Sequence, residues 1–152
     1  MIMRNYSELI FQATKIRVWL MKAIAIEARN EKFLNHVETF HVNMSDEYMR
    51  EKSRRERRNI SSFILRDDID CRKVIPLLVE EILLDSVNYE DVAMWLADRN
   101  DHKDLIIRQT MGAVLGCVYS YSQKIYTPKM NVVLKRTDSG YGFYIASAYP
   151  VR

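Results

Sequence analysis

Residues 130–150, MNVVLKRTDSGYGFYIASAYP, decide the fold of this chain. Positions 132–134 supply β-branched and aliphatic side chains, 138–140 form a turn cluster, and 141–149 are rich in aromatic residues, a pattern that predicts a β-hairpin. Because side chains alternate along a strand, the odd-numbered positions of the second arm are expected to share one face. These positions hold Phe143, Ile145, Ser147 and Tyr149.

Two hydroxyl groups, those of Ser147 and Tyr149, end this face just before Pro150, which cannot donate to a β-ladder. Polar groups at the end of an apolar strand face can be site residues. They can equally cap the end of the strand, and these residues alone leave both interpretations open.

Length and composition predict a single domain over residues 1–152. The mass is 18.0 kDa and 48% of the residues are hydrophobic, which is typical of a globular protein with its own core. The formal net charge of +3 barely favours polyanions, so the distribution of charge matters more than its sum.

Cys71 and Cys117 follow no metal-binding or disulfide-framework spacing, so we interpret them as buried free thiols, with a single disulfide as the alternative. No signal peptide is predicted, because Lys15, Arg17 and Lys22 interrupt the first apolar run. The same charges argue against a transmembrane span, which needs about 20 mostly apolar residues. We therefore predict a soluble chain that does not bind a membrane.

The order of the predicted elements indicates the fold class. Residues 6–34 carry an apolar stripe at helical spacing, in one helix or two, and Ser45 is a suitable N-cap for the next helix. Further helices are predicted over 68–85 and 89–99, whereas 105–121 and the final hairpin are β-rich. Helices first and strands mostly last favour an α+β fold over a doubly wound parallel sheet.

The densest positive cluster lies in residues 44–59, MSDEYMREKSRRERRN. Its cations are Arg50, Lys52, Arg54, Arg55, Arg57 and Arg58. One interpretation is a solvated helix face with ion pairs four residues apart. The other is a surface that binds the phosphates of a nucleic acid.

Common catalytic motifs are absent, since the sequence contains no glycine-rich phosphate loop, no GxSxG elbow and no HExxH pair. His36 and His41 are five residues apart, an awkward offset for sharing a metal on a helix, so we predict neither a metal nor a cofactor. What remains is a histidine beside a basic helix, together with a distant strand that carries hydroxyls.

Cleavage of RNA without a metal could use these groups. An imidazole can take the proton of the 2′-hydroxyl or protonate the leaving 5′-oxygen, and a cation can stabilise the charge that gathers on phosphorus. Neutral hydroxyls can orient the phosphate. Many inert domains hold the same set of side chains, so this inventory by itself does not establish an enzyme.

Several short features also occur in a fixed order along the chain. They are His41-Val42 followed by Met49 and Lys52, then Ser61-Ser62-Phe63, Trp95-Leu96, Leu115-Gly116, 132–136 (VVLKR) and 144–150 (YIASAYP). From Phe40 to Pro150 the sequence thus resembles the bacterial RNase A-like toxin domain found at the C-termini of contact-dependent growth-inhibition (CdiA) proteins.

The resemblance implies an RNase A-like fold, in which N-terminal helices pack on a curved antiparallel sheet, without the disulfides of the vertebrate relatives. It divides the chain into an N-terminal helical segment, residues 1–34, and an RNase A-like core, residues 35–152. The implied activity is that of a metal-independent endoribonuclease toxin, which cleaves RNA by attack of the 2′-hydroxyl and leaves a 2′,3′-cyclic phosphate.

The resemblance also implies a set of catalytic residues. The histidine of the family falls on His41, its threonine on Ser147, its tyrosine on Tyr149 and its arginine on Lys52. Serine in place of threonine keeps the hydroxyl, whereas lysine in place of arginine loses the planar fork that grips a phosphate.

The lost fork has two possible consequences. Arg50, Arg54 or Arg55 can supply it instead, so these arginines are the expected RNA- and phosphate-binding residues. The alternative is a catalytically weakened or inactive relative that acts as an RNA- or protein-binding domain. The partners implied are RNA, either tRNA or RNA in general, and a cognate immunity protein, with action in the bacterial cytoplasm after delivery into a target cell.

Overall fold

The structure, a computed structural model, describes residues 6–98, 100–121 and 123–152. The helices found in these residues are α1 (Tyr6–Ala28), α2 (Glu31–His41), α3 (Asp46–Glu56), α4 (Cys71–Leu84) and α5 (Ser86–Ala97). The strands are β1 (Ile60–Phe63), β2 (Leu105–Thr110), β3 (Gly116–Ser120), β4 (Gln123–Thr127), β5 (Lys129–Arg136) and β6 (Phe143–Val151).

The strands form two three-stranded antiparallel sheets, in the orders β1-β3-β4 and β2-β5-β6. The predicted hairpin is β5–β6, and its turn contains Gly140 and Gly142 at φ angles of 61° and 84°. Only glycine adopts such angles without steric cost, which is why this turn can be tight. The predicted α+β fold is confirmed.

The main hydrophobic core lies between the helices and the sheet β2-β5-β6. It contains fully buried residues from α1, α4, β5 and β6, among them Ile24, Val79, Leu134 and Ile145. The N-terminal helices therefore pack on the sheet that holds the decisive hairpin.

A second, smaller core fixes α3 on the sheet β1-β3-β4, where Met49 packs with Ile60 and Tyr119. The two sheets lie close together at Gly116, which faces Pro150 of β6 and Ser62 of β1. A Cβ atom at Gly116 would lie 2.4 Å from Pro150 Cγ and 2.5 Å from the carbonyl oxygen of Ser62. The glycine is thus required for β6 to lie against β1 and β3.

Of the two options predicted for residues 6–34, two helices are found, separated at Asn30, whose side chain accepts from the N–H of Lys32; α2 continues beyond the predicted end to His41. Two predicted helix starts are wrong, because an Asp side chain caps each helix at another position. The helix predicted from residue 68 begins only after Asp70, and the one predicted from residue 89 begins after Asp85. Such caps satisfy N–H groups that lack partners in the first helical turn.

Both cysteines are free, with Cys117 buried and Cys71 half-buried. The prediction of free thiols is confirmed for both, the prediction of burial is confirmed for Cys117 only, and the alternative of a disulfide is wrong. Among the described residues, no helix is long and apolar enough to cross a membrane.

Candidate active site

A cavity of about 790 Å³ opens where α2, α3, β1 and β6 meet. His41, Lys52, Ser147 and Tyr149 all line it, and so does His36. The cavity therefore brings together the four residues onto which the resemblance carries the catalytic roles, although they come from distant parts of the chain.

The end of helix α2 fixes the position of His41. The next residue, Val42, pairs with Phe63 of β1, and the N–H of Asn43 donates to the carbonyl oxygen of Phe63 over 2.9 Å. This pairing holds the imidazole beside β1, with Nδ1 3.3 Å from the carbonyl oxygen of Ser61. A carbonyl oxygen can only accept, so Nδ1 carries the hydrogen and Nε2 keeps its lone pair.

Burial lowers the pKa of His41 from its usual 6.5 to about 4. The bond to the Ser61 carbonyl offsets part of this shift, whereas the positive charges of Lys52 and Arg58 and the neighbouring His36 lower the pKa further. His41 is therefore neutral at pH 7 and able to accept a proton.

A β-bulge in β6 determines where Ser147 points. Ser147 pairs with Val133 and Ile145 pairs with Leu134, so two consecutive residues of β5 face three of β6 and Ala146 has no partner. An extra residue of this kind shifts the alternation of side chains along the strand.

The prediction that the odd positions of β6 share one face is therefore wrong. Phe143 and Ile145 lie in the main core together with Ala148, whereas Ser147 and Tyr149 are half-buried and line the cavity. Strict alternation fails because the bulge moves the residues that follow it by one position. The alternative that the two hydroxyls only cap a strand end does not fit their place in the cavity wall.

The aromatic ring of Tyr149 stacks on the His41 imidazole, with the ring centroids 5.5 Å apart and the planes at 30°. The hydroxyl of Ser147 contacts a different imidazole, since its Oγ lies 3.2 Å from Nε2 of His36. The rings of His36 and His41 are 5.4 Å apart. The site thus holds two adjacent imidazoles, each in contact with one of the two β6 residues.

His36 is a site residue that the sequence did not assign to the site. Two residues five apart on a continuous α-helix point about 140° away from each other, which argued only against their sharing a metal. His41, however, is the last residue of α2, where the chain turns toward β1. Its ring can therefore approach that of His36, and no signal in the sequence shows this turn. Burial lowers the pKa of His36 as well.

Lys52 reaches the cavity from α3, the helix whose N-cap was predicted and found at Ser45. Its Nζ atom lies 3.3 Å from the hydroxyl of Tyr48 and 5.3 Å from the centre of the Phe40 ring. These contacts hold the ammonium group at the cavity wall, because a cation is attracted to the face of an aromatic ring.

The three arginines expected to bind phosphate do not line this cavity. Arg50 lies over the ring of Tyr119, with Cζ 5.8 Å from the ring centre, and Arg54 and Arg55 are exposed on α3. Arg58 and Arg108 line the cavity in their place. A direct contact of the first three with a phosphate in the cavity is therefore not supported, whereas contacts with more distant phosphates remain a prediction.

Arg58 reaches the cavity because α3 ends before it. Arg57 caps the helix in the left-handed conformation, with φ 53°, and the buried hydroxyl of Ser53 donates to the carbonyl oxygen of Arg58 over 2.8 Å. The turn in the backbone separates Arg58 from the arginines of the helix. The run of charged residues in the sequence does not reveal this turn.

The charge of the cavity wall is one-sided. It includes Lys52, Arg58, Arg108 and Arg152, and none of the described residues that line it is Asp or Glu. An anionic group such as a phosphodiester fits this environment. Over the described part of the chain, no group of three or more His, Cys, Asp or Glu side chains could hold a metal ion.

A protein-family model described as the bacterial CdiA-CT RNAse A domain matches residues 35–150. The chain belongs to this family. The resemblance inferred from the sequence is thereby confirmed, and in general terms the chain is a ribonuclease toxin domain of the contact-dependent growth-inhibition type.

Among solved structures, the crystal structure of a CdiA-CT/CdiI complex from Y. kristensenii 33638 matches with a TM-score of 0.58 and 16% sequence identity. The match covers 74% of this chain and 95% of that chain. At this level of identity it shows a common fold, and together with the family match it confirms the predicted RNase A-like architecture. The comparison with curated proteins gave no match.

The part of the chain that matches the CdiA-CT RNAse A family contains most of the cavity wall. Both imidazoles, Lys52 and the two β6 side chains fall within residues 35–150, whereas Arg152 and helix α1 lie outside. Helix α2 begins at Glu31, so the first residue of the matched region already lies inside a helix.

Proposed function

We propose that this CdiA-CT RNase A domain is a metal-independent endoribonuclease. Attack of a ribose 2′-oxygen on the adjacent phosphorus would break the bond to the 5′-oxygen, giving a 2′,3′-cyclic phosphate and a 5′-hydroxyl. The observation that carries the proposal is the meeting of His41, Lys52, Ser147 and Tyr149 in one cavity with a cationic wall.

His41 is suited to accept the proton of the 2′-hydroxyl. Its Nδ1 is engaged by the Ser61 carbonyl, its Nε2 has a free lone pair, and its lowered pKa keeps it neutral at pH 7. Tyr149 stacks on the ring and holds its orientation.

Lys52 is suited to stabilise the charge that develops on the phosphoryl oxygens, and Ser147 to orient one of those oxygens through its hydroxyl. Because lysine lacks the bidentate fork of arginine, the cavity residues able to supply it are Arg58, Arg108 and Arg152, of which Arg58 also pairs with Glu56. Single groups of this kind typically stabilise a transition state by about 3–4 kcal/mol.

The partners and the place of action belong to the same proposal. RNA is the substrate, and a cognate immunity protein would protect the producing cell. Support comes from the Y. kristensenii structure with the same fold, which is a CdiA-CT/CdiI complex. The toxin would act in the cytoplasm of a target bacterium.

The test is incubation of the chain with total RNA in EDTA, beside the His41→Ala variant. His102→Ala is the matched control, because this third histidine lines a different groove, with Trp19 and Tyr141. We expect cleavage by the parent and by His102→Ala, and a loss of at least about 100-fold in His41→Ala. An oligonucleotide with a single 2′-O-methyl group should resist cleavage at that position.

The alternative function gives a different result. A domain that only binds RNA would show salt-dependent binding without turnover, unchanged in His41→Ala. Cleavage that requires a divalent cation, or products that lack the cyclic phosphate, would contradict the proposed mechanism.

A further inference from the structure

His36 lines the cavity, but none of the catalytic roles proposed above involves it. Its ring is half-buried, its Nε2 lies 3.2 Å from the hydroxyl of Ser147, and its centroid is 5.4 Å from that of His41. The resemblance assigns one histidine to the site, and that histidine is His41.

A purely structural role does not account for this position. A histidine kept for packing usually contacts the core, whereas His36 lines the cavity and its polar partner is a hydroxyl in the same wall. A role as a metal ligand is not supported either, because no third ligand joins the two imidazoles among the described residues.

The proposed reaction needs a second proton-transfer group. While the 2′-oxygen forms its bond to phosphorus, its proton passes to His41. When the bond from phosphorus to the 5′-oxygen breaks, that oxygen leaves with the electron pair and must take up a proton. In an in-line displacement the 5′-oxygen leaves on the side of phosphorus opposite the attacking 2′-oxygen, so the base beside the 2′-oxygen does not reach it and a separate acid is needed.

We propose that His36 is this acid and donates the proton from Nε2 to the leaving 5′-oxygen, which takes the place of Ser147 Oγ at this nitrogen when the substrate binds. The inference rests on the proposed ribonuclease activity. After the reaction His41 holds the proton that was on the 2′-hydroxyl and His36 has lost one. Exchange with water then restores the starting state.

The short distance between the rings of His36 and His41 affects which of the two is protonated. Two imidazolium groups at this distance repel each other, so protonation of one opposes protonation of the other. His41 is the neutral member, because burial keeps its pKa at about 4 even though the bond from Nδ1 to the Ser61 carbonyl offsets part of this shift. Double protonation of the pair is therefore disfavoured, which leaves His36 as the ring that can carry the proton.

The bound substrate is expected to charge His36. The titratable and charged side chains that line the cavity with it are His41, Lys52, Arg58, Arg108, Tyr149 and Arg152. None of them is a carboxylate, and in the empty cavity burial lowers the pKa of His36 and so disfavours its protonated form. The negative charge of a phosphodiester reverses this balance and raises the pKa of the imidazole beside it.

The test compares two leaving groups in the His36→Gln variant, whose amide can still bond to Ser147. The substrates are the four nucleoside 3′-(4-nitrophenyl phosphates) and the corresponding dinucleotides. The 4-nitrophenoxide ion can leave without taking up a proton, whereas the 5′-oxygen of a dinucleotide must be protonated as it leaves. We expect kcat/KM of His36→Gln to fall about 100-fold or more for dinucleotides and less than about tenfold for the nitrophenyl esters.

A pH profile on an oligoribonucleotide provides a second measurement. In the parent, the rate should fall at alkaline pH, because His36 loses the proton that it must donate. This fall should occur at higher pH in the profile of kcat than in that of kcat/KM, and it should be absent in His36→Gln. Equal losses for both leaving groups, an unchanged rate or a retained fall at alkaline pH would overturn the inference while the ribonuclease activity stands. A parent chain that cleaves no RNA would overturn both proposals.

Discussion

Ser147 and Ile145 face opposite sides of β6, although only one residue separates them. Ile145 pairs with Leu134 and lies in the core, whereas Ser147 pairs with Val133 and lines the cavity beside His36. The unpaired Ala146 between them makes this possible. Because of the bulge, a stretch of three residues in β6 contributes Ile145 to the core and Ser147 to the site.

Substitutions at these two positions should have separate effects. Ile145→Ala should lower the free energy of unfolding by about 2–5 kcal/mol, because it leaves a cavity in the core. Ser147→Ala should change stability little, but it should reduce RNA cleavage because the hydroxyl is lost. Urea denaturation and cleavage rates measured on the same preparations check both statements. Loss of stability in Ser147→Ala, with cleavage intact, would place the hydroxyl among the packing groups instead.

The lowered pKa of His41 should make the fold less stable in acid. The unfolded chain binds a proton near pH 6.5, whereas the folded chain resists it until about pH 4, so stability is lost as the pH falls through this window. Between pH 7.5 and pH 5 the loss from this residue should be roughly 2 kcal/mol. Urea denaturation at the two pH values, in the parent and in His41→Ala, measures the difference.

The exposed His102 provides the control for this effect. In His102→Ala the free energy of unfolding should depend on pH as it does in the parent. If His41→Ala also showed the full dependence of the parent, the acid sensitivity would arise elsewhere.

Lys52 should matter through its charge at the cavity wall. Lys52→Ala should lower kcat/KM for RNA about 100-fold, whereas Lys52→Arg should retain or raise it, because the guanidinium keeps the charge and adds the bidentate fork. Arg54→Ala is the matched control on the same helix, since this exposed side chain does not line the cavity, and it should affect cleavage only slightly at moderate salt. The prediction fails if Lys52→Ala and Arg54→Ala lose activity equally.

Gly116 should tolerate no side chain. In Gly116→Ala the new methyl group would meet Pro150 and the Ser62 carbonyl, so β6 must move away from β3 and the pairing of β1 with β3 must shift as well. We expect a loss of about 1–3 kcal/mol in stability, together with reduced cleavage because Tyr149 and Ser147 move with the strand. Thermal unfolding and cleavage assays provide the readouts.

The control for this change is Gly112→Ala. A Cβ at Gly112 has no neighbour within 4 Å, so the substitution should leave both properties nearly unchanged. A stable and fully active Gly116→Ala variant would show that the two sheets can separate without cost to the site.

The sequence by itself determined the class of the fold and four candidate residues of the site. The apolar stripes, the final hairpin and the helix cap at Ser45 follow from local periodicity and capping, which act over a few residues. The ordered short features identified the family. They also led to His41, Lys52, Ser147 and Tyr149 as candidates, and these four residues do meet in one cavity.

Only the tertiary structure decided which other side chains join them. His36 approaches His41 because the chain turns toward β1 at the end of α2. Arg58 replaces Arg54 and Arg55 because of a left-handed residue after α3, and Ser147 leaves the core face because of one unpaired alanine. Each of these outcomes depends on pairing between segments far apart in the chain. Local patterns carry no information about such pairing, because its free energy comes from contacts that exist only once the chain has folded.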